Sequence, residues 1–325
     1  MSTPDAAALP PLSRGSVSLR LYPHAQDAVA TVEELRTQAV LGRAAGFDGV
    51  MASEHHGGFA GYLPNPLQIA GWLLDAMPSG WAAACPLLLP LRPTALVIEE
   101  TAWLAARFPG RVGLGVATGS LQDDFDILET TKDGLVARFA AGLTQVSDAL
   151  SGRDAGVLAG DRAVTACAGA PVPLVSAAMS PAAVRRAAAA GAGLLFDSLS
   201  SVERCRQLTD AYREAGGTGA SILVRRAWIG PPPASRQAKQ VDVYRGYAAA
   251  AAQTHWSEEA LLSSSDPAEL AGMLAHTVIR AGGDALNVRL HVPGITPEEV
   301  REQLAALGEV IPQVRRLLRD HAAPR

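Results

Sequence analysis

The feature that most constrains the fold of this chain is a repeated switch in the period of its apolar residues. Short, almost uniformly apolar runs bounded by Gly and Pro alternate with longer amphipathic stretches. Runs at 17–22, 47–52, 81–89, 112–117, 172–177, 193–196, 222–229 and 285–292 read as strands. Helical patterns at 27–45, 66–77, 93–107, 133–150, 181–190, 202–215 and 297–318 fall between and after them, with one further long helical region before the last strand. Several strands are apolar on both faces, as a parallel sheet covered by helices requires. Eight such units leave about 40 residues for each, enough for a barrel with insertions. An open doubly wound sheet would normally carry a glycine-rich fingerprint after its first strand, where this chain has Leu21-Tyr22-Pro23-His24. The expectation is an α/β chain: a single (β/α)8 TIM barrel over 15–325, with insertions at its C-terminal face, behind a flexible tail at 1–14.

Composition narrows the function. Apolar residues make up 48% of the 325 positions and charged ones 18%, so a large core can form and general disorder is excluded. The net charge of −4 carries no basic block, which argues against nucleic acid or an anionic membrane as partner. No stretch approaches the ~18 uncharged apolar residues of a membrane span, and no signal peptide is legible, so a cytoplasmic protein is expected. Cys85, Cys167 and Cys205 show no CxxC spacing, and so suggest neither a disulfide framework nor a zinc site.

In a barrel, chemistry gathers where strands end. That places Tyr22, Glu54-His55-His56, Cys85-Pro86, Thr118-Gly119, the run Ser176 to Ser180, Asp197-Ser198, Trp228 and His291 in one neighbourhood. Glu54-His55-His56 is the strongest signal, because an imidazole can carry a proton near neutral pH. Adjacent strand residues point to opposite faces, so His55 and His56 cannot easily share a metal ion. A site built from His291, Asp197 and one of the pair is the weaker case. Ser180-Pro181 opens a helix whose free amides favour an anion, although spacing alone favours a plain serine cap. The glycines of Gly113-Leu114-Gly115-Val116-Ala117-Thr118-Gly119 lack the lysine of a nucleotide loop, and tight strand packing accounts for them as well. Pro86 within an apolar strand signals a bulge or a cis bond. Asp266-Pro267 and Thr296-Pro297 read as capped helix starts. The stretch 231–265 reads as an insertion over the mouth, in which Tyr244, Tyr247 and Trp256 form a lid or pack on the helices.

Taken in order, these motifs resemble the bacterial-luciferase-like flavin-dependent monooxygenases. The match runs through Gly46-Phe47-Asp48, Glu54-His55-His56, Asn65-Pro66 and Leu87-Leu88-Leu89-Pro90. It continues through Pro109-Gly110-Arg111-Val112-Gly113-Leu114-Gly115-Val116, Asp124-Phe125 and Leu307-Gly308-Glu309-Val310-Ile311-Pro312. The resemblance implies a barrel that binds reduced FMN and uses O2 to oxygenate a small organic substrate, the flavin supplying the redox chemistry. It further implies His55 as acid or base, and flavin contacts at Glu54, Cys85, Pro86, Thr118, Arg138, Ser176, Met179 and Ser180. Substrate contacts are expected at Tyr22, His56, Trp228 and His291, with no metal. A homodimer and a separate flavin reductase are the implied partners.

Two departures bear on the cofactor. Luciferases proper carry Cys-Arg where this chain has Ala117-Thr118, so one phosphate cation is missing and weaker flavin retention is expected. Members using the deazaflavin F420 tend to show Asp-His after the second strand, so Glu54-His55-His56 leans to FMN. The alternatives are an F420-dependent oxidoreductase on the same barrel and a non-catalytic flavin-binding or partner subunit.

Overall fold

The computed structural model describes residues 7–247, 253–256 and 261–322, apart from the side chains of Tyr247 and Ala322. Eight parallel strands close a ring: β1 (Val17–Arg20), β2 (Gly49–Ala52), β3 (Trp81–Leu88), β4 (Val112–Ala117), β5 (Leu174–Ala177), β6 (Gly193–Phe196), β7 (Ser221–Ile229) and β9 (Ala285–Arg289). β9 pairs with both β1 and β7, which seals the barrel. The connecting helices are α1 (Ala28–Ala44), α2 (Pro66–Ala76), α3 (Thr94–Arg107), α4 (Gln122–Ile127), α5 (Leu135–Leu150), α6 (Arg162–Ala166), α7 (Pro181–Ala190), α8 (Val202–Glu214), α9 (Ala234–Tyr247), α10 (Pro267–Arg280), α11 (Pro297–Leu307) and α12 (Ile311–Ala322). This is the expected TIM barrel, with two corrections to its elements.

The first correction is a ninth strand, β8 (Leu261–Ser264), inside the stretch read as helical. β7 runs past the ring, and its last residues, Arg226–Ile229, would leave a bare edge; β8 pairs with them in parallel. The second is that 297–318 is two helices. α11 ends at Gly308 and α12 restarts at Ile311, with Pro312 in the first turn, where its missing N–H costs nothing. Elsewhere the local chemistry predicts the boundaries. Asp27, Asn65, Ser180, Asp266 and Thr296 all cap helices with their side chains, and Thr296–Glu299 form a full capping box.

Two apolar layers result. Helices pack on the outer strand faces, and a second cluster, including Met51, Trp81, Ala83, Cys85, Val175, Leu195 and Ile222, fills the barrel. The described part of the segment read as a loose tail is anchored to the barrel at two points. Leu12 lies inside it, and the Leu9 N–H donates to Asp48 Oδ1 at 2.8 Å. Asp48 also accepts from the Val17 N–H and pairs with Arg315, which ties the first half of α12 to the barrel floor.

The interior glycines serve this packing. A Cβ on Gly115 would stand 2.2 Å from Cys85 Sγ, and one on Gly113 would stand 3.0 Å from Leu12. The tightest place is Gly49, where a Cβ would meet the Trp81 ring at 2.1 Å. Gly49→Ala is expected to overpack the barrel and cost about 1–3 kcal/mol or more, read as a lower urea midpoint at unchanged m-value.

Candidate active site

The strand ends surround a cavity of about 350 Å³. Its size lies in the range of small-molecule and cofactor sites, about 300–1,000 Å³. His55, Pro86, Leu88, Thr118, Met179 and Arg20 contribute to its walls, together with Tyr22, Tyr62, Tyr244, Trp256 and Arg289. A larger cavity of about 790 Å³ lies beside it, and the two share Tyr22, Tyr62, Tyr244 and Arg289 as a partition.

β2 ends in Ser53, and the chain then turns so that Glu54, His55 and His56 do three different jobs. His55 faces the cavity with its Nδ1 2.7 Å from Asp124 Oδ2, while the His56 N–H donates to Asp124 Oδ1 at 2.8 Å. The carboxylate is fully buried on α4 and accepts the His55 Nδ1–H, which leaves Nε2 as the ring nitrogen free to exchange a proton. Phe59 and Tyr62 pack on the imidazole, with ring centres 4.9 and 4.5 Å away. The His56 side chain turns the other way, its Nε2 lying 2.8 Å from Glu54 Oε1. Glu54 is a buried hub. It also accepts the Leu88 N–H at 2.7 Å and pairs with Arg92, so its carboxylate holds the ends of β2 and β3 together at the cavity wall.

The Cys85-Pro86 peptide is cis, as its place in the strand suggested, and Pro86 presents its ring to the cavity. Cys85 stays inside the barrel, where burial pushes its thiol up to about 11. Its carbonyl oxygen accepts from Arg20 Nη1 at 2.9 Å.

Several expected contacts do not reach the cavity. Ser176 lies on β5 between Val175 and Ala177, which face inward, so its own side chain faces the helices. Ser180 spends its hydroxyl on the Ala183 N–H, and the start of α7 is exposed. Arg138 is exposed on α5 and turns back to the carbonyl oxygens of Thr131 and Asp133. Trp228 is buried in the outer core, where β7 has left the ring for β8. His56 is held by Glu54, as described. Tyr22, Glu54, His55, Pro86, Thr118 and Met179 do meet at the cavity. Among the described residues, no three of His, Cys, Asp and Glu converge as a metal site, and no helix is long and apolar enough to cross a membrane.

A family sequence model described as luciferase-like monooxygenase matches residues 16–312. The chain belongs to that family. Among solved structures, this luciferase-like barrel is similar to monooxygenase RslO1 from Streptomyces bottropensis: TM-score 0.73, 18% identity, 95% of this chain and 100% of that one covered. It is similar, at 0.73 and 15%, to the oxygenating constituent of the Pseudomonas putida 3,6-diketocamphane monooxygenase in complex with FMN, with 92% and 98% covered. An F420-dependent secondary alcohol dehydrogenase follows at 0.69 and 15%, with 93% and 99% covered. No curated protein sequence matches this family member.

His291 lies in the larger cavity, stacked on Tyr22 with ring centres 4.8 Å apart. Burial, then the Arg289, His24 and Arg226 charges, push its pKa down to about 3. The unfolded chain takes up that proton near the ordinary pKa of about 6.5, so the unfolded state binds more protons throughout the window between. Stability is therefore expected to fall as pH drops from about 6.5 toward 3. Urea midpoints across that window should decline less steeply in His291→Phe than in the wild type.

Three residues at the cavity carry no signal of their role in the sequence, and a fourth, Tyr244, carries only an ambiguous one. Asp124 follows β4 by sequence and nothing local marks it as a partner of His55; Arg20 and Arg289 lie within apolar strand runs, where only the closed ring shows which way they face. Tyr244, read as either lid or packing, is buried and takes a 2.6 Å hydrogen bond from Arg289 Nη2. Tyr247 has no described side chain.

Proposed function

We propose that this chain is a monooxygenase that takes reduced FMN and O2 and oxygenates a small organic substrate. The observation that carries the proposal is His55, its Nδ1 fixed by a buried carboxylate and its ring facing a cavity of cofactor size. The residues present fit a flavin. Pro86, Leu88, Ala177 and Met179 give apolar wall for a planar ring, and the Thr118–Ser120 turn gives hydroxyls and backbone for the phosphate-bearing chain. Bound there, the reduced flavin would supply the electrons and activate O2. His55 Nε2 would give or take the proton that accompanies oxygen transfer, Asp124 would hold the tautomer, and Tyr22, Tyr62 and Trp256 would exclude water. Arg138 is turned away and Thr118 is neutral, but Lys132 supplies a cation at this turn, its Nζ donating to the Ser120 carbonyl oxygen at 2.7 Å; a single ammonium in place of an arginine fork suits flavin delivered by a separate reductase.

A second reading is F420-dependent hydride transfer without O2, favoured by the likeness to the F420-dependent dehydrogenase. Parallel titrations with FMN and F420, O2 uptake beside an added flavin reductase, and anaerobic bleaching of F420 separate the two. Saturable FMN binding with labelled oxygen appearing in product supports the monooxygenase; F420 bleaching without FMN binding replaces it. A homodimer in the cytoplasm belongs to the same proposal, with sedimentation of the purified chain as its check.

A further inference from the structure

Three arginines stand side by side in the barrel wall, and among the described residues no carboxylate pairs with them. Arg20 on β1 and Arg226 on β7 are both in-register partners of Arg289 on β9, so the three side chains leave the sheet in one layer. They are 6%, 1% and 4% exposed, respectively. Arg20 is satisfied by neutral groups: Asn287 Oδ1 at 2.6 Å, Ser53 Oγ at 3.1 Å and the Cys85 carbonyl oxygen. Arg289 donates to the Tyr244 hydroxyl and lies over the Tyr22 ring, 4.3 Å from its centre. Arg226 donates through Nε to Gln240 Oε1 at 3.2 Å, and both of its terminal nitrogens lack a hydrogen-bond partner.

Arg225, 6% exposed, is likewise held by neutral groups, the carbonyl oxygens of Asp197, Val224 and Ser200, but it stands apart from the other three, and further arginines are ion-paired. Arg92 meets Glu54, Arg213 meets Asp284 and Arg315 meets Asp48. A buried cation with no opposite charge is strongly unfavourable, so this concentration of positive charge calls for a counter-charge that the described residues do not supply. The phenols answer it in part. Burial opposes the Tyr244 charge, but Arg289 and Arg226 draw its pKa below the ordinary phenol range. Burial, then Arg289, lower Arg226 to about 10.

Arg289 stands in the partition between the two cavities. The larger one runs from there among Pro23, Phe59, Leu63, Ile69, Trp72 and Ile295. We infer that the substrate is an apolar molecule bearing one carboxylate, its body in the 790 Å³ cavity and its carboxylate on Arg289, with Arg226 reinforcing the charge from behind Tyr244. This deepens the proposed function and rests on it: with the cofactor in the 350 Å³ cavity, the arginine wall is where cofactor and substrate meet.

The test uses octanoate and octanamide, which share a shape and differ in charge, titrated calorimetrically into the full-length protein. The wild type should bind octanoate at least about tenfold more tightly, the expected scale for a charge-assisted contact. Arg289→Met and Arg226→Met should shrink that preference to about twofold or less, while Arg226→Lys should keep most of it because the charge remains. Circular dichroism confirms that each variant is folded, and the wild-type comparison needs no variant at all. Equal affinity for the two probes, no binding of either, or a preference unchanged in both Met variants overturns the inference. So does a tyrosinate absorption band at neutral pH that Tyr244→Phe abolishes, if octanoate is not preferred, because the counter-charge is then internal. An FMN titration on the wild type and the same variants keeps the two levels apart. In the wild type, octanoate preference without FMN binding removes the flavin proposal and leaves the anion site, whereas FMN binding without octanoate preference removes the anion site alone.

Discussion

His55→Ala is expected to lower product formation by about 10²–10⁴-fold, the usual share of a positioned acid or base. The imidazole is held on three sides, by the Asp124 carboxylate and by the rings of Phe59 and Tyr62, so its one free nitrogen has a defined place in the cavity. Truncation leaves the Asp124 carboxylate buried but still receiving the His56 N–H, so the chain should remain folded and the loss should sit in kcat. Asp124→Asn should follow in the same direction with a smaller loss, because an amide can still accept from Nδ1–H but no longer stabilises the protonated ring. The measurement is single-turnover product formation with reduced flavin supplied in excess. Wild-type turnover in His55→Ala would remove this residue from the chemistry.

Glu54→Ala is expected to show the larger effect on folding. Its carboxylate is the shared acceptor for Arg92, His56 and the Leu88 N–H, all at the junction of β2 and β3. Removing it leaves a partly buried guanidinium and a buried amide without partners, a defect of about 3–5 kcal/mol. Glu54→Gln keeps the size and one acceptor oxygen and should cost less. Urea unfolding of the two variants measures the difference. A Glu54→Ala midpoint within error of the wild type would mean that the hub does not hold the strand ends together.

The site was legible in part, and the boundary follows from geometry. His55 and Pro86 stood out because each follows or interrupts an apolar strand, and a strand end on a barrel is a place in space as well as in sequence. Ser176 was misplaced because strand ends alone do not set parity: Val175 and Ala177 face inward, so Ser176 cannot. Trp228 was misplaced because β7 outruns the ring, which depends on β8 being there to pair with it. Arg138 sits on a helix start, and its carbonyl contacts with Thr131 and Asp133 arise only from how the preceding loop turns. Tyr244 and Trp256 lie in the stretch expected to cover the mouth, and they do contribute to the cavity wall.

What the residue order determined by itself was local: alternating periods, capping oxygens before prolines, and glycines where strands must lie close. Those signals act between residues a few positions apart, and together they leave few architectures besides a closed parallel barrel. Tertiary structure decided which distant residues meet. Asp124 reaches His55 across 69 positions, and Arg20 joins Arg226 and Arg289 only because β9 closes the ring between β1 and β7. Register and closure are properties of the whole sheet, so the charge gathered at the cavity wall could be read only once the barrel was built.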